Sequence, residues 1–513
     1  MVESRTNKSI KNSIVALVYY LINLILQFFS RKIFIDHLGT EILGLNTTLS
    51  NLLQFLNLAE LGIGTAIACT LYKPLFNKDQ ATIIEIISLQ GWLYRRIAYI
   101  ISGGALFLMC LFPWIFAKTP LPIWYAYMSF IALLTSALLS YFVNYRQILL
   151  SADQKDYKIL YSYKSVILIK VLFQIIVVKY FNYGYIWWCI LEVIFAFIAS
   201  YALNKTILRF YPFLKTSISK GAQLRSKYPE IITKVKQIFF HKIAGFTLTQ
   251  TSPLIIYAYT SLTLVALYGN YMLIITGATT LMAAIFNSMN AGVGNLVAQG
   301  DKQNILKVFN ELFSIRFLIS CVVCFAFYTL TPSFITLWLG SEYLMSNNIL
   351  ILMIAIMYIN ITRTSIDVYL NAYGLFRDIW APITEAILNI GMSILLGYLF
   401  GITGILSGVL LSLIAIVFIW KPYFLFRSGF KISIIQYINM YIKHIIAAIL
   451  TYIVTVTIIK HITINPTDSF AALAYSAAIY ITIFSIILLA LLYVLSSGLR
   501  DFIHRLLSII KTQ

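Results

Sequence analysis

Residues Phe470 to Leu495 read FAALAYSAAIYITIFSIILLALLYVL, a run without a single Asp, Glu, Lys or Arg. A helix needs about 20 apolar residues to cross the hydrocarbon core of a bilayer, where its backbone polar groups can be satisfied only within the segment. This run is long enough, and similar runs at 98–116 and 10–29 reach or approach the same length. The 513 residues are 60% hydrophobic and 11% charged, with a mean hydropathy of +0.86. A soluble domain carries roughly a quarter charged residues, so the composition excludes the soluble classes. The first run has no small-residue cleavage site and leads into further runs, and reads as a retained helix.

Along the rest of the chain, apolar periodicity and breakers place spans near 10–29, 44–72, 92–112, 121–142, 157–178, 184–208, 237–259, 264–297, 314–338, 346–371, 381–399, 402–422, 443–460 and 470–496. That is an all-α integral membrane protein of about 14 transmembrane helices. The formal charge of +20 would suggest nucleic acid in a soluble chain. Here the basic residues cluster in alternate gaps. With the N-terminus inside, about 30 of the 38 Lys and Arg fall on the cytoplasmic side, which predicts both termini cytoplasmic and no nucleic-acid partner. The richest gap, from Lys205 to Lys242, divides the chain near its middle.

The two sides of that gap echo each other about 220 residues apart, the mark of duplicated transporter halves. Leu61-Gly62-Ile63-Gly64-Thr65 and Asn77-Lys78-Asp79-Gln80 are matched by Ala291-Gly292-Val293-Gly294-Asn295 and Gly300-Asp301-Lys302-Gln303. Leu150-Ser151-Ala152 with Asp156 is matched by Leu370-Asn371-Ala372 with Asp378, and Tyr183-Gly184 by Phe400-Gly401. The expected organisation is an N-terminal six-helix bundle at 1–212, a basic cytoplasmic linker at 213–236, a C-terminal six-helix bundle at 237–430, and two peripheral transmembrane helices with a cytoplasmic tail at 431–513. An even number of spans per half makes the bundles parallel repeats, with a substrate path expected between them.

Polar side chains inside apolar runs point to function, because an ionisable group in hydrocarbon is costly without a partner or a wet surface. Asn23, Gln27, Ser30 and Arg31 share one helical face, as do Asn46, Ser50, Asn57 and Glu60, and Asn360, Arg363, Asp367 and Asn371. Arg363 and Asp367 are four apart and can pair. Tyr163, Lys170 and Gln174 line one side of another span. Singly, each such residue reads as interhelical packing; as stripes they suggest a shared polar lumen. Arg31, Lys164, Lys170, Arg316 and Arg363 are the expected anion-binding groups, since guanidinium and ammonium donors suit phosphate and carboxylate oxygens. Glu60, Glu192, Asp367 and Glu385 are expected to take up a coupling proton or sodium ion, or else to pair with a basic neighbour. Thr247, Thr249, Gln250, Thr251, Ser252 and Pro253 interrupt another span with hydroxyl-rich, kink-prone sequence.

No phosphate-binding loop, zinc-protease or serine-hydrolase motif occurs, so no catalytic residue, metal or resident cofactor is expected. Cys321 and Cys324 spell C-x-x-C inside an apolar run and read as helix packing, like Gly397-x-x-x-Gly401 and Gly404-x-x-x-Gly408.

The residues after the first run, Arg31-Lys32-Ile33-Phe34-Ile35-Asp36-His37-Leu38-Gly39-Thr40-Glu41-Ile42-Leu43-Gly44-Leu45, together with Leu58-Ala59-Glu60-Leu61-Gly62-Ile63-Gly64 and Asn371-Ala372-Tyr373-Gly374, resemble the oligosaccharide flippase family. These are the Wzx-type repeat-unit exporters of the multidrug, oligosaccharidyl-lipid and polysaccharide exporter superfamily. The resemblance implies two six-helix bundles in a V shape with two extra helices. It also implies alternating access through a cationic cavity, and flipping of undecaprenyl-diphosphate-linked oligosaccharide across the bacterial cytoplasmic membrane for capsule, exopolysaccharide or O-antigen. Membrane lipids, a polysaccharide polymerase and other pathway proteins are the implied partners. A multidrug or cation exporter of the same superfamily is the first alternative; its cargo would favour an acidic, aromatic cavity. A membrane polymerase or ligase is the second, and it would want a large outer loop, which the span pattern lacks.

Overall fold

The computed structural model describes residues 5–60, 62–287, 290–375, 377–378 and 380–512; the side chains of 5–11, 59, 236–237, 240–250, 284–285, 287, 290–291 and 509–512 lie outside the described residues. Thr247, Thr249 and Gln250, half of the expected hydroxyl-rich kink, lie there too, as do Ala59, Leu61 and Ala291, while Thr251 and Ser252 are buried within helix Pro229–Tyr259. Among the described residues the fold is helical throughout, with no strand.

Eleven helical stretches among the described residues are long and apolar enough to cross a membrane. The differences from the expected spans are local. The runs at 381–399 and 402–422 join as Trp380–Phe430, which turns at Gly401 (φ 57°, ψ −139°). The span expected at 44–72 is divided: Thr40–Leu56 ends in a 3-10 turn, Asn57–Glu60, and Ile63–Asn77 restarts after Gly62. The expected 237–259 lies within Pro229–Tyr259, much of which falls outside the described side chains. Large apolar side chains such as Trp114, Phe107, Ile387 and Tyr398 stand on the outside. In water such a surface would drive aggregation; in a bilayer it is the lipid-facing coat.

Two compact units divide at Ala266 and Leu267. Helix Pro229–Tyr259, which the sequence places at the start of the second half, packs within the first unit. A Cβ on Gly62 would lie 3.0 Å from Val235 O, and Tyr257 donates to Ile115 O (2.9 Å). The expected linker also folds onto this unit. Helix Gly221–Lys227 rests on Gln80–Ile115, with Gly221 so close that a Cβ would sit 2.2 Å from that of Trp92. Lys227 pairs with Glu85 (2.6 Å), which holds its ammonium group above the usual lysine range.

Matching turns recur in both units. Asp79 caps Gln80–Ile115 by accepting from Thr82 N (3.1 Å), and Asp301 caps Lys302–Trp338 by accepting from Gln303 N (3.1 Å) and Asn304 N (3.3 Å). The preceding residues, Lys78 (φ 55°) and Gly300 (φ 79°), are both left-handed. Lys155 N donates to Leu150 O (2.8 Å) past left-handed Gln154, and Leu375 N donates to Leu370 O (2.9 Å) past left-handed Gly374. These are the same helix stop. Tyr183 (φ 58°) and Gly401 (φ 57°) turn the next hairpin in each unit. Three of the four echoes seen in sequence are thus matching backbone turns; in the fourth, Gly62 turns (φ 96°) whereas Gly292 lies within helix Asn290–Gln299.

Packing inside the second unit is aromatic, with Phe309, Phe313, Phe317, Phe426, Phe430 and Tyr441 buried together. Close approach through glycine also matters: a Cβ on Gly404 would lie 1.9 Å from Leu396 O, and one on Gly408 2.4 Å from Ser393 N. Gly401 differs from the packing role expected of it, because nothing lies near its missing Cβ and its positive φ marks it as the turn.

Candidate functional site

Helix Asn347–Ala372 carries Arg363 and Asp367 one turn apart, and their side chains pair, Nε to Oδ2 at 3.2 Å. Two further charges come from elsewhere in the same unit. Glu385, on Trp380–Ser412, brings Oε1 to 3.8 Å from Arg363 Nη1. Lys421 donates to Asp367 Oδ1 at 2.7 Å. It follows directly on the π-helical stretch Leu413–Trp420, whose wider turn alters the register by which Lys421 meets the helix opposite. Two cations and two carboxylates therefore form one chain in the order Lys421, Asp367, Arg363, Glu385. Glu385 is almost wholly buried, whereas Arg363 retains about a fifth of its side-chain exposure. Arg363 borders a small recess of about 10 Å³, room for a single water, walled by Thr362, Ile366, Phe418, Tyr437 and Tyr441. A guanidinium held by carboxylates on one side suits an anion on the other, and one larger than a water reaches it only when this recess widens.

Arg316 lies nearby in the helix order, on Lys302–Trp338, and is fully buried. Its Nη1 donates to Thr364 Oγ1 (3.0 Å), and its guanidinium carbon stands 4.8 Å from the Phe286 ring centroid. Asn360 and Asn371, on the Arg363 helix, are exposed.

In the first unit Lys170 donates to both oxygens of Glu192, each at 2.7 Å, and Gln174 adds a bond to Glu192 Oε2 at 3.1 Å. Lys170 and Glu192 are both buried, so one expected anion-binding group and one expected coupling group are each other's partner. Lys170 can meet another anion only when this pair opens. Lys164 ends the π-helical turn Leu160–Lys164 and is exposed, with Nζ 5.9 Å from the Tyr163 ring centroid. Arg31 donates to Ala266 O (3.1 Å). Asn23 is half-buried and Gln27 exposed on the same helix.

The expected stripe from Asn46 to Glu60 is an interhelical seam. Asn46 Oδ1 accepts from Ser129 and from Tyr185 (3.0 Å), Asn57 from Tyr141 (3.0 Å), and Glu60 from Tyr94 (2.8 Å). A helical wheel groups residues on one element but says nothing of the tyrosines opposite. Lys421 was missed for a related reason: at the end of an apolar run it reads as an interface charge. The π-helical stretch before it leaves no plain mark in sequence.

Neither a family model nor a curated protein matches the sequence. Solved structures do match. One is a lipid II flippase, MurJ, in an inward closed conformation, with a TM-score of 0.63 and 15% identity over 96% of this chain and 100% of that one. Another is an inward-facing multidrug resistance transporter of the MATE family in the MOP superfamily, with a TM-score of 0.56 and 12% identity over 82% of this chain and 99% of that one. At such identities the likeness establishes architecture: the chain is an all-α integral membrane protein with the fold that these transporters share.

Proposed function

We propose that this chain is a flippase that moves an undecaprenyl-diphosphate-linked oligosaccharide across the bacterial cytoplasmic membrane, for capsule, exopolysaccharide or O-antigen, by alternating access driven by an ion gradient. The observation that carries the reading is the Arg363 cluster, a set of four ionisable side chains kept within apolar helices, with Arg363 at the edge of a small recess. Ionisable groups at such depth mark a pathway for polar or charged cargo. The guanidinium of Arg363 matches a diphosphate in charge and in its forked donors. Asp367 and Glu385, and in the first unit Glu192, are the groups through which a proton or sodium ion would act, because binding a cation at a carboxylate releases its basic partner. The whole-chain likeness to a lipid II flippase supports a lipid-linked cargo over a small drug.

The test is depletion in the native host. A lipid-diphosphate-linked glycan should accumulate on the inner leaflet, and collapsing the ion gradient should produce the same accumulation. Unchanged lipid-linked glycans on depletion, with raised sensitivity to cationic drugs, would replace this reading with a multidrug exporter.

A further inference from the structure

Helix Ser497–Thr512 begins just past the span Phe470–Leu495, with Ser496 extended between them (φ −114°, ψ 118°). So short a connection keeps the new helix at the level where the span leaves the hydrocarbon. Its first turn is docked on Lys302–Trp338. Leu499 is fully buried, a Cβ on Gly498 would lie 2.3 Å from Asn310 O, and Ser496 Oγ is 3.0 Å from Ser314 Oγ. Further along, Arg505 pairs with the buried Glu311 at 2.7 Å. These contacts fix both the height of the helix and its rotation.

At 100° per residue, Leu499, Phe502, Ile503, Leu506 and Leu507 fall on one arc, and Arg500, Asp501, His504, Arg505 and Ser508 on the other. The protein covers the apolar arc only at its start: Leu506 is 43% and Leu507 50% exposed. Arg500 and His504 run along the edge next to Leu507, and Asp501 is the only acidic residue of the helix. An apolar arc, a basic edge and a tether to the end of a membrane span are the features of a helix lying in the headgroup region.

We propose that Ser497–Thr512 is an interfacial anchor whose uncovered arc enters the adjoining leaflet and whose Arg500–His504 edge binds anionic lipid headgroups. This site is independent of the cargo. Anionic lipid engaged here holds Ser496, and with it Ser314 on Lys302–Trp338, in the docked arrangement.

The test uses the full chain with its native cysteines replaced by serine and Leu507→Cys carrying an environment-sensitive fluorophore. It is reconstituted in phosphatidylcholine vesicles with or without about 30% phosphatidylglycerol. A lipid-borne quencher should act strongly on the label in the anionic vesicles, and aqueous iodide weakly. Arg500→Gln should reduce the anionic preference roughly fivefold. Leu506→Cys gives the same readout if the first variant fails to fold. Iodide access unchanged between the two vesicles, a label quenched equally in both, or cross-linking of two copies through position 507 would each overturn the proposal.

Discussion

Two hairpins occupy the same place in the helix order of the two units. Helices Asp156–Tyr180 and Gly184–Phe210 hold between them Lys170, Gln174 and Glu192, an ionic core. In Trp380–Ser412, folded back at Gly401, the positions about 220 residues further on carry Asn389, Ser393 and Ser412. There Asn389 donates to Ser412 Oγ at 3.3 Å and Ser393 to Ile405 O at 3.1 Å; these three positions carry no charge, and the buried Glu385 of the same hairpin faces Arg363 instead. The second unit keeps its charges elsewhere, around Arg363, where the first unit has Val143 at the matching position. Turns have been kept because a left-handed residue and a helix cap are fixed by the backbone. Interior charge has diverged, so the two halves, alike in architecture, hold their ionisable groups at different places.

That contrast can be broken experimentally. Lys170→Met leaves the Glu192 carboxylate buried without its cation, with Gln174 as a remaining donor, which should cost about 3–5 kcal/mol, read as a large fall in thermal unfolding temperature in detergent. The double variant Lys170→Met, Glu192→Gln should recover most of that loss, since replacing a whole buried pair is often nearly neutral. Asn389→Leu in the other hairpin should cost only about 1–2 kcal/mol by the same measurement, because only neutral bonds are lost. If Asn389→Leu proved as harmful as Lys170→Met, the hairpins would be equivalent after all. Asp79→Ala and Asp301→Ala remove matching helix caps, and each should cost about 0.5–2 kcal/mol in the same melts. Near-equal values would sharpen the likeness of the two turns. Smallest of all, Ser412→Ala should shift unfolding by about 0.6 kcal/mol, the usual worth of one interhelical hydrogen bond in a membrane.

The sequence carried the architecture more plainly than the site. Long apolar runs announce spans because the bilayer sets their length. The repeat was legible because glycine and aspartate mark turns and caps, as at Gly300-Asp301. Within one helix, spacing was a sound guide: Arg363 and Asp367, four apart, do pair. Across helices it was not. Lys421 lies 54 residues from Asp367 in the chain, and Lys170 lies 22 from Glu192. Only the packing of the helices sets which of several buried carboxylates each cation meets. The stripe through Asn46, Asn57 and Glu60 shows the same blindness: its partners are tyrosines, which in sequence look like ordinary membrane aromatics.

The most direct test of the account is transport by purified protein in proteoliposomes, with a fluorescent diphospholipid-linked oligosaccharide as cargo and an ion gradient imposed. The chain should move the lipid, and folded Arg363→Gln protein should move it about tenfold more slowly or worse, as expected of a residue that meets the cargo, with a separate cost of about 3–5 kcal/mol in the melt because Glu385 is left buried without its cation. Equal transport by the parent and a folded Arg363→Gln protein would contradict the claim that this guanidinium handles an anionic cargo.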